Sequence, residues 1–393
     1  MTQQINPNAS APAGAPVSKR KRALMILAAV VVLGGIAWAL WYFLVARWHE
    51  DTDDAYVQGN VVTITPQSQG TVVSIAADDG MKVVAGQVLV QLDPNDAHVA
   101  YEQAEANLAN AVRQARGLYS AVEANQADIT ARRVAVQKAR EDVARRAGLV
   151  ATGAVAAEEL AHARDELAAA EAALAGANEN LSRNRALVDA TTVQTQPQVA
   201  AAAAQLRSAY LNLQRMAIVA PVTGYVAKRS TQLGQRVQPG TTLMTVVPLE
   251  QVWVEANFKE TQLANMRIGQ PVELHSDLYG DDVRFDGHLV SLGLGTGSAF
   301  ALLPAQNASG NWIKIVQRVP VRISVDAAQL KDHPLRLGLS MHADVAIRDR
   351  GGALLADAPP AKPLLTTDAY AKQLADANAR IAKIVQANLG RRG

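Results

Sequence analysis

Two segments of the sequence, far apart along the chain, repeat one spacing of glycine and leucine. In each segment, three glycines follow one another at intervals of ten and six residues, and a leucine stands three residues later. Short runs of Val, Ile and Thr between the glycines predict strands, and the glycines permit the positive-φ turns that join them. The segments 61–94 and 217–248 are therefore predicted to form the two halves of one small β-sandwich rather than two unrelated hairpins. The matched positions are Gly70, Gly80, Gly86 and Leu89 in the first segment, and Gly224, Gly234, Gly240 and Leu243 in the second.

A sandwich made of two such halves resembles the biotinyl/lipoyl carrier domains. In a carrier domain the halves meet at a tight hairpin that presents a modifiable lysine. Here residues 95–216 separate the halves, and no lysine stands at a short turn. We therefore expect no covalent or other cofactor, although a membrane-anchored component of a carrier enzyme stays an alternative from a different functional class.

The insertion between the halves has helical periodicity. Asp93 and the residues after it form a capping signal, and apolar residues then recur at intervals of three and four. Further along, a heptad series shifts once by eleven residues before it resumes. Heptads of this length indicate a coiled coil. The heptad positions are Leu160, Leu167, Leu174, Leu181 and Val188, followed by Val199, Leu206 and Leu213.

A glycine-containing break at 147–153 divides the insertion into two arms. An antiparallel hairpin over 95–216 is predicted, with its tip at about 147–156. The first arm would have about 52 residues and extend roughly 75–80 Å. Pro197 is expected to kink or interrupt the return arm.

The N-terminal region predicts a membrane span. The basic run Lys19, Arg20, Lys21 and Arg22 precedes residues 23–45, which carry no charge and would extend about 35 Å as a helix, against roughly 30 Å of bilayer hydrocarbon. A cleaved signal peptide is the alternative, since Ala37-Trp38-Ala39 mimics a cleavage site, but the apolar run is longer than a signal h-region. The positive-inside rule predicts a cytoplasmic tail at 1–22 and an extracytoplasmic body. Trp38, Trp41 and Trp48 are expected at the outer interface.

The C-terminal third reads as short alternating strands that predict an antiparallel β-barrel over 249–350. One of the expected strands is 312–316. Residues 46–60 are expected to contribute a strand or linker to this barrel, and the stretch 55–65 is expected to return to it. A linker and a helix follow in 351–393, and this helix is predicted to serve packing or oligomerisation. The fold class is mixed α+β and elongated: a transmembrane helix, a split lipoyl-type sandwich, a coiled-coil hairpin and a barrel.

Composition argues against catalysis and against nucleic-acid binding. The 38 Lys and Arg balance 36 Asp and Glu, so no basic footprint for phosphates is expected. Cysteine is absent, which excludes disulfides, thiolate metal sites and a cysteine nucleophile. No phosphate-binding loop and no G-x-S-x-G motif occurs. We therefore expect a protein that is not an enzyme.

This domain order, with the sequences at 51–60, 257–272, 279–283, 295–300, 303–308 and 310–314, resembles the membrane fusion proteins, or periplasmic adaptors, of the HlyD/EmrA family. The resemblance implies a Gram-negative inner-membrane location and three partners. They are an EmrB-like major-facilitator drug/proton antiporter, an outer-membrane TolC-like channel and further copies of the chain in a trimer or hexamer. An adaptor of an ATP-driven type I secretion system is the alternative within the same architecture.

The resemblance also implies a channel contact at the tip of the hairpin. Members of the family often carry an Arg-Leu-Ser pattern there. Arg145 and Leu149 match its first two positions, whereas Ala156 stands where the serine hydroxyl would be. The alternative for Arg145 and Leu149 is ordinary packing at the end of a hairpin.

Overall fold

The computed structural model describes Thr2 and residues 19–280, 282–300, 315–359 and 361–390. Residues 1 and 3–18 of the expected tail at 1–22, and most of the expected strand at 312–316, lie outside the described residues. The helices are α1 (Lys19–Leu44), α2 (Asn95–Ala151), α3 (Ala157–Ala186), α4 (Pro197–Gln214), α5 (Ala327–Asp332) and α6 (Ala371–Asn388).

Fourteen strands complete the secondary structure of the described residues. The strands before the hairpin are β1 (His49–Gln58), β2 (Val62–Ile64), β3 (Gly70–Ile75), β4 (Lys82–Val83) and β5 (Val88–Leu92). Those that follow it are β6 (Ala217–Val219), β7 (Gly224–Arg229), β8 (Arg236–Val237), β9 (Met244–Val247), β10 (Trp253–Lys259), β11 (Pro271–Ser276), β12 (Arg284–Leu292), β13 (Arg318–Val325) and β14 (Ser340–Ala346).

The chain divides into two compact units. One contains Met1–Asn60 and Pro248–Leu364, and the other contains Val61–Val247 and Leu365–Gly393. The boundary after Asn60 means that β1 belongs to the barrel whereas β2 belongs to the sandwich. The expectation that the whole stretch 55–65 returns to the barrel is therefore wrong for its second half, because residues 62–64 pair with β9.

The sandwich is assembled from both sequence halves. Its sheets have the strand orders β2-β9-β7-β4 and β6-β5-β3-β8, so each sheet takes two strands from before the hairpin and two from after it. Fully buried side chains from both halves, including Leu89, Leu92, Leu243 and Met244, fill the space between the sheets. Neither half could bury this face alone, which confirms the predicted split sandwich.

The repeated glycines have two different roles. Gly80, Gly86, Gly234 and Gly240 have φ values between 76° and 90°, as the turns require. Gly70 and Gly224 instead begin β3 and β7, so the expectation of a positive-φ turn does not hold for them. At Gly70 the reason for glycine is close packing, because a Cβ there would lie 3.1 Å from the Cβ of Leu92.

Alanine substitutions at Gly86 and Gly117 are expected to have opposite effects on stability. No atom lies within 4 Å of a Cβ built at either position, so only the backbone differs. Gly86→Ala places a side chain at φ +84° and should cost about 1–2 kcal/mol. Gly117→Ala lies inside α2 and should stabilise by about 0.5–1 kcal/mol. Denaturant unfolding of both variants is the measurement, and shifts of the same sign would contradict the assignment.

The hairpin arms differ from each other in continuity. The first arm, α2, has 57 residues and is about 85 Å long, because the helix continues through Gly148 instead of stopping near it. The return arm is broken between Ala186 and Pro197. The expected shift in the heptads is therefore a non-helical segment, and the break precedes Pro197, which starts α4 as its first residue.

Side-chain bonds hold the segment between α3 and α4. The buried Gln196 amide donates to the Leu187 carbonyl at 2.7 Å, and Ala190 has a φ of 54°. The Thr192 and Thr195 side chains each accept the backbone N–H of the other residue, at 3.3 and 2.8 Å. These bonds replace the helical backbone bonds that are lost over this segment.

The barrel closes with six antiparallel strands in the order β1-β10-β13-β12-β11-β14. Alternate residues of these strands point inward, and Phe258, Leu274 and Phe285 are completely buried. Pairing of β1 with both β10 and β14 closes the barrel, so the segment before the sandwich contributes a strand to it. Between Lys259 and Gly269 the chain forms a 3₁₀ turn at Leu263–Asn265.

Candidate functional site

The tip of the hairpin is a tight turn between α2 and α3. The Leu149 carbonyl accepts the backbone N–H groups of Thr152 at 3.2 Å and Ala154 at 3.1 Å, and also the Thr152 hydroxyl at 2.9 Å. Gly153 follows with a φ of 75°, a conformation that favours glycine at helix ends. The last carbonyls of α2 are satisfied locally, so the Leu149 side chain is free to face outward.

The structure places the predicted contact residues on both sides of this turn. Arg145 and Leu149 lie one helical turn apart at the end of α2, and the Leu149 side chain is 44% exposed. Ala156 is the residue before α3, in an extended conformation and without a side-chain cap for that helix. A serine at this position could cap α3, so alanine removes a helix cap as well as a hydroxyl that a partner could contact.

Two residues of the tip that sequence reasoning missed are Asp142 and Arg146. The Asp142 carboxylate binds Arg145 at 2.7 Å and Arg146 at 3.0 Å. Arg146 also donates to the Glu159 carbonyl at 3.2 Å and thereby joins the two arms. The Asp142 position three and four residues before two arginines is a helical ion-pair signal that could have identified them.

Charge at the start of α3 agrees with the dipole of that helix, because Glu158 and Glu159 lie in its first turn. The last turn of α2 carries no basic residue, and Arg145 and Arg146 lie before it, where they pair with Asp142.

The base of the hairpin is a three-helix bundle that includes the C-terminal helix. Ile384 and Val385 of α6 pack with Leu108 of α2 and Leu206 of α4. The predicted packing or oligomerisation helix thus covers the hairpin of its own chain. Polar contacts flank this core: Arg380 Nε donates to the Tyr101 hydroxyl at 2.9 Å, Arg113 to Asn388 at 2.8 Å and Arg207 to Asn378 at 2.9 Å.

Alkaline pH is expected to weaken this bundle through Tyr101. Burial raises the pKa of the Tyr101 hydroxyl above 10.0, and the hydrogen bond from Arg380 only partly opposes the rise. A raised pKa in the folded state means that this contribution to stability is complete below pH 10 and is lost as pH rises through the folded pKa. Tyr101→Phe should therefore show a smaller loss of stability above pH 10 in thermal unfolding. An equal loss in both proteins would contradict this.

The membrane-flanking residues lie around α1. Within the part of the chain that the structure describes, Ala23–Trp48 is the one helical stretch long and apolar enough to cross a membrane, and none of it is buried. The basic residues Lys19, Arg20, Lys21 and Arg22 form its first turn, and Trp38 and Trp41 are exposed near its end. Trp48 differs, because its carbonyl accepts the Ile347 N–H at 2.8 Å and the Arg47 guanidinium lies 4.7 Å from its ring centroid.

Comparisons with known proteins identify the hairpin and the barrel. Residues 95–216 match the family model of the EmrA alpha-helical hairpin domain, and residues 251–346 match that of the AAEA-like beta-barrel domain. The multidrug export protein EmrA of Haemophilus influenzae is 45% identical over 388 residues, which cover 99% of this chain and 100% of that protein. The Escherichia coli multidrug export protein EmrA is 47% identical over 355 residues, which cover 90% of this chain and 91% of that protein.

A solved structure of the periplasmic adaptor protein EmrA aligns over 76% of this chain and 98% of that chain, with 17% identity and a TM-score of 0.38. The family of this chain is shown instead by the matches of its hairpin and barrel to the family models and by 45% identity over nearly the whole chain. The chain therefore belongs to the EmrA family of membrane fusion proteins of multidrug efflux systems.

Proposed function

We propose that this chain links an inner-membrane major-facilitator drug/proton antiporter to an outer-membrane TolC-type channel. The observation that carries the proposal is the hairpin: its arm of about 85 Å ends in a tip that exposes Leu149 beside Arg145 and Arg146. This exposed apolar side chain at the end of a long arm would be available to contact the end of a channel. The antiporter would supply the energy from a proton gradient, and hydrophobic drugs would be the substrates.

The anchor and the oligomer belong to the same proposal. The basic first turn of α1 would hold the N-terminus in the cytoplasm, so that α1 spans the inner membrane once and the sandwich, hairpin and barrel lie in the periplasm. Several copies, three or six, would form a ring, because a single hairpin cannot enclose a conduit. Type I secretion gains no support, since both relatives named above are multidrug export proteins.

The experiment uses the absence of cysteine from the chain. A single cysteine is introduced by Leu149→Cys, and a matched control by Val134→Cys, which is 67% exposed on the same helix, about 22 Å from the tip. After attachment of a photo-crosslinker in cells, we expect Leu149→Cys to give a covalent product with an outer-membrane channel, identified by mass spectrometry. Val134→Cys should give none.

Two outcomes would overturn the proposal. Crosslinks from Leu149→Cys only to other copies of the chain, with the protein abundant, would indicate a scaffold whose hairpins meet each other. Equal channel crosslinking from Val134→Cys would show that the tip is not the contact. The same Val134→Cys protein also tests topology, because a membrane-impermeant maleimide should label it in cells whose outer membrane alone is permeabilised.

A further inference from the structure

The barrel has two ends, and the chain enters it from α1 at one of them. Since α1 ends at Leu44 and β1 begins at His49, the four residues between them span at most about 14 Å. We call the end of the barrel at which β1 begins the entry end. The antiparallel strand order places the described residues 260–270, 293–300, 315–317 and 347–353 at the same end, and residues 277–280, 282 and 283 at the opposite end.

The connection between β12 and β13 exposes large apolar side chains at the entry end. Leu294 is 83% exposed, Phe300 is 75% exposed and Ile315 is 64% exposed. The sequence carries no charged residue from Gly293 to Ile313. Scattered apolar residues on a surface need no explanation, but three in one connection, two of them in its uncharged stretch, indicate a contact with an apolar phase or partner.

Local bonds hold the described part of this connection in place. The Gly293 N–H donates to the Pro320 carbonyl at 2.8 Å, and the Ala299 N–H donates to the Thr296 carbonyl at 3.0 Å. The Phe300 ring lies against Gly295, where a Cβ would come within 2.7 Å of it. The turn thus fixes Phe300 in an exposed position instead of letting it fold back into the barrel.

Charged groups of both signs and a tryptophan lie at the same end. Arg47, Arg267, Arg348 and Arg350 lie in the segments that reach the entry end, together with the acidic Glu260 and Asp349, and the start of β1 adds Glu50, Asp51, Asp53 and Asp54. Arg47 and Arg350 approach the Trp48 ring, with guanidinium carbons 4.7 and 5.8 Å from its centroid. Arginine beside tryptophan is typical of the headgroup region of a membrane, and cations favour its anionic lipids.

We propose that the entry end of the barrel rests on the bilayer that α1 spans, with Leu294 and Phe300 inserted at the level of the lipid headgroups. The inference rests on the membrane-anchored orientation proposed above. Lipid is the occupant that the observations favour, because the short connection after α1 keeps the entry end beside the membrane surface and three large exposed side chains there are apolar, with arginine beside tryptophan. The adaptor would then touch the membrane at a second place, which would restrict how its barrel can tilt.

The test measures the depth of spin labels on the full chain in vesicles of phosphatidylethanolamine and phosphatidylglycerol, without any other protein. Labels are attached to Leu294→Cys and Phe300→Cys. Leu278→Cys is the matched control, since Leu278 is 51% exposed in the connection at the opposite end. Ile36→Cys, in the middle of α1, reports insertion of the span. We expect labels at 294, 300 and 36 to be more accessible to oxygen than to a water-soluble nickel chelate, and the label at 278 to show the reverse.

The possible outcomes separate this proposal from the anchoring itself. If the label at 36 is more accessible to oxygen while the labels at 294 and 300 are more accessible to the nickel chelate, as at 278, the proposed lipid contact is wrong. The membrane span of α1 is then still supported. If the label at 36 is more accessible to the nickel chelate, both the membrane span of α1 and the lipid contact of the barrel are wrong. If 294 and 300 lose nickel access only after a transporter is added to the vesicles, the occupant is a protein, and the lipid proposal is again overturned. Crosslinking at Leu149 tests the bridging function separately.

Discussion

Ile384→Asp is expected to release α6 from the base of the hairpin. The Ile384 side chain is 7% exposed and packs among Leu108, Leu206 and neighbouring residues of α2 and α4. An aspartate there would bury a charge or a protonated carboxyl without a partner, which should cost at least about 3 kcal/mol. Only Ala377, Ile384 and Val385 of α6 are buried, so the loss removes much of what holds this helix.

Hydrogen exchange of the full chain measures this release directly. Amides of Ala371–Asn388 should lose protection in Ile384→Asp, and limited proteolysis should cleave in the linker before α6 or in the helix itself. Leu374→Asp is the matched control, because Leu374 lies on the same helix but is 52% exposed. Equal loss of protection in both variants would mean that α6 is not held by this face.

The second large effect is expected for Phe285→Ala in the barrel. The ring is completely buried, and its centroid lies 6.1 Å from that of Tyr279 and 6.4 Å from that of His333. Removing it leaves a cavity between strands that are closed on each other and cannot collapse easily, so we expect a loss of about 3–5 kcal/mol in the free energy of unfolding.

Phe300→Ala provides the control in the same domain, since that ring is 75% exposed. Its effect on the free energy of unfolding should lie within about 0.5 kcal/mol. Denaturant unfolding of the two variants in detergent would compare them. A loss of similar size from both would show that the barrel core does not depend on the Phe285 cluster.

The heptad leucines predicted the hairpin because they mark a buried helix face, and the glycine spacing predicted the sandwich because it marks the turns between short strands. The same patterns could not distinguish the two roles of the glycines. Gly70 and Gly80 look alike in the sequence, but one is required by the approach of Leu92 and the other by its φ of 80°. That difference depends on a contact between distant parts of the chain.

The return arm and the C-terminal helix also have features that the sequence patterns could not predict. A shift of eleven residues fits either a stutter or a break, and the break depends on the Gln196 amide reaching the Leu187 carbonyl. For α6, the spacing of apolar residues predicted a helix but not its partner, because an apolar face carries no information about which surface will cover it. At the tip, Arg145 and Leu149 could be named from a resemblance, whereas the arm-joining role of Arg146 required coordinates.

The unequal arms have a mechanical consequence. Both ends of the hairpin continue into adjacent, paired strands, β5 and β6. Next to these strands, α6 packs against both arms. Over an arm of about 85 Å, each degree of rotation at the sandwich displaces the tip by about 1.5 Å. Because the return arm is interrupted at 187–196, α2 is the one arm that is a continuous helix over that length. The hairpin should therefore bend more readily in one direction than in the other. A small change in the angle between the hairpin and the sandwich therefore determines the position of the tip.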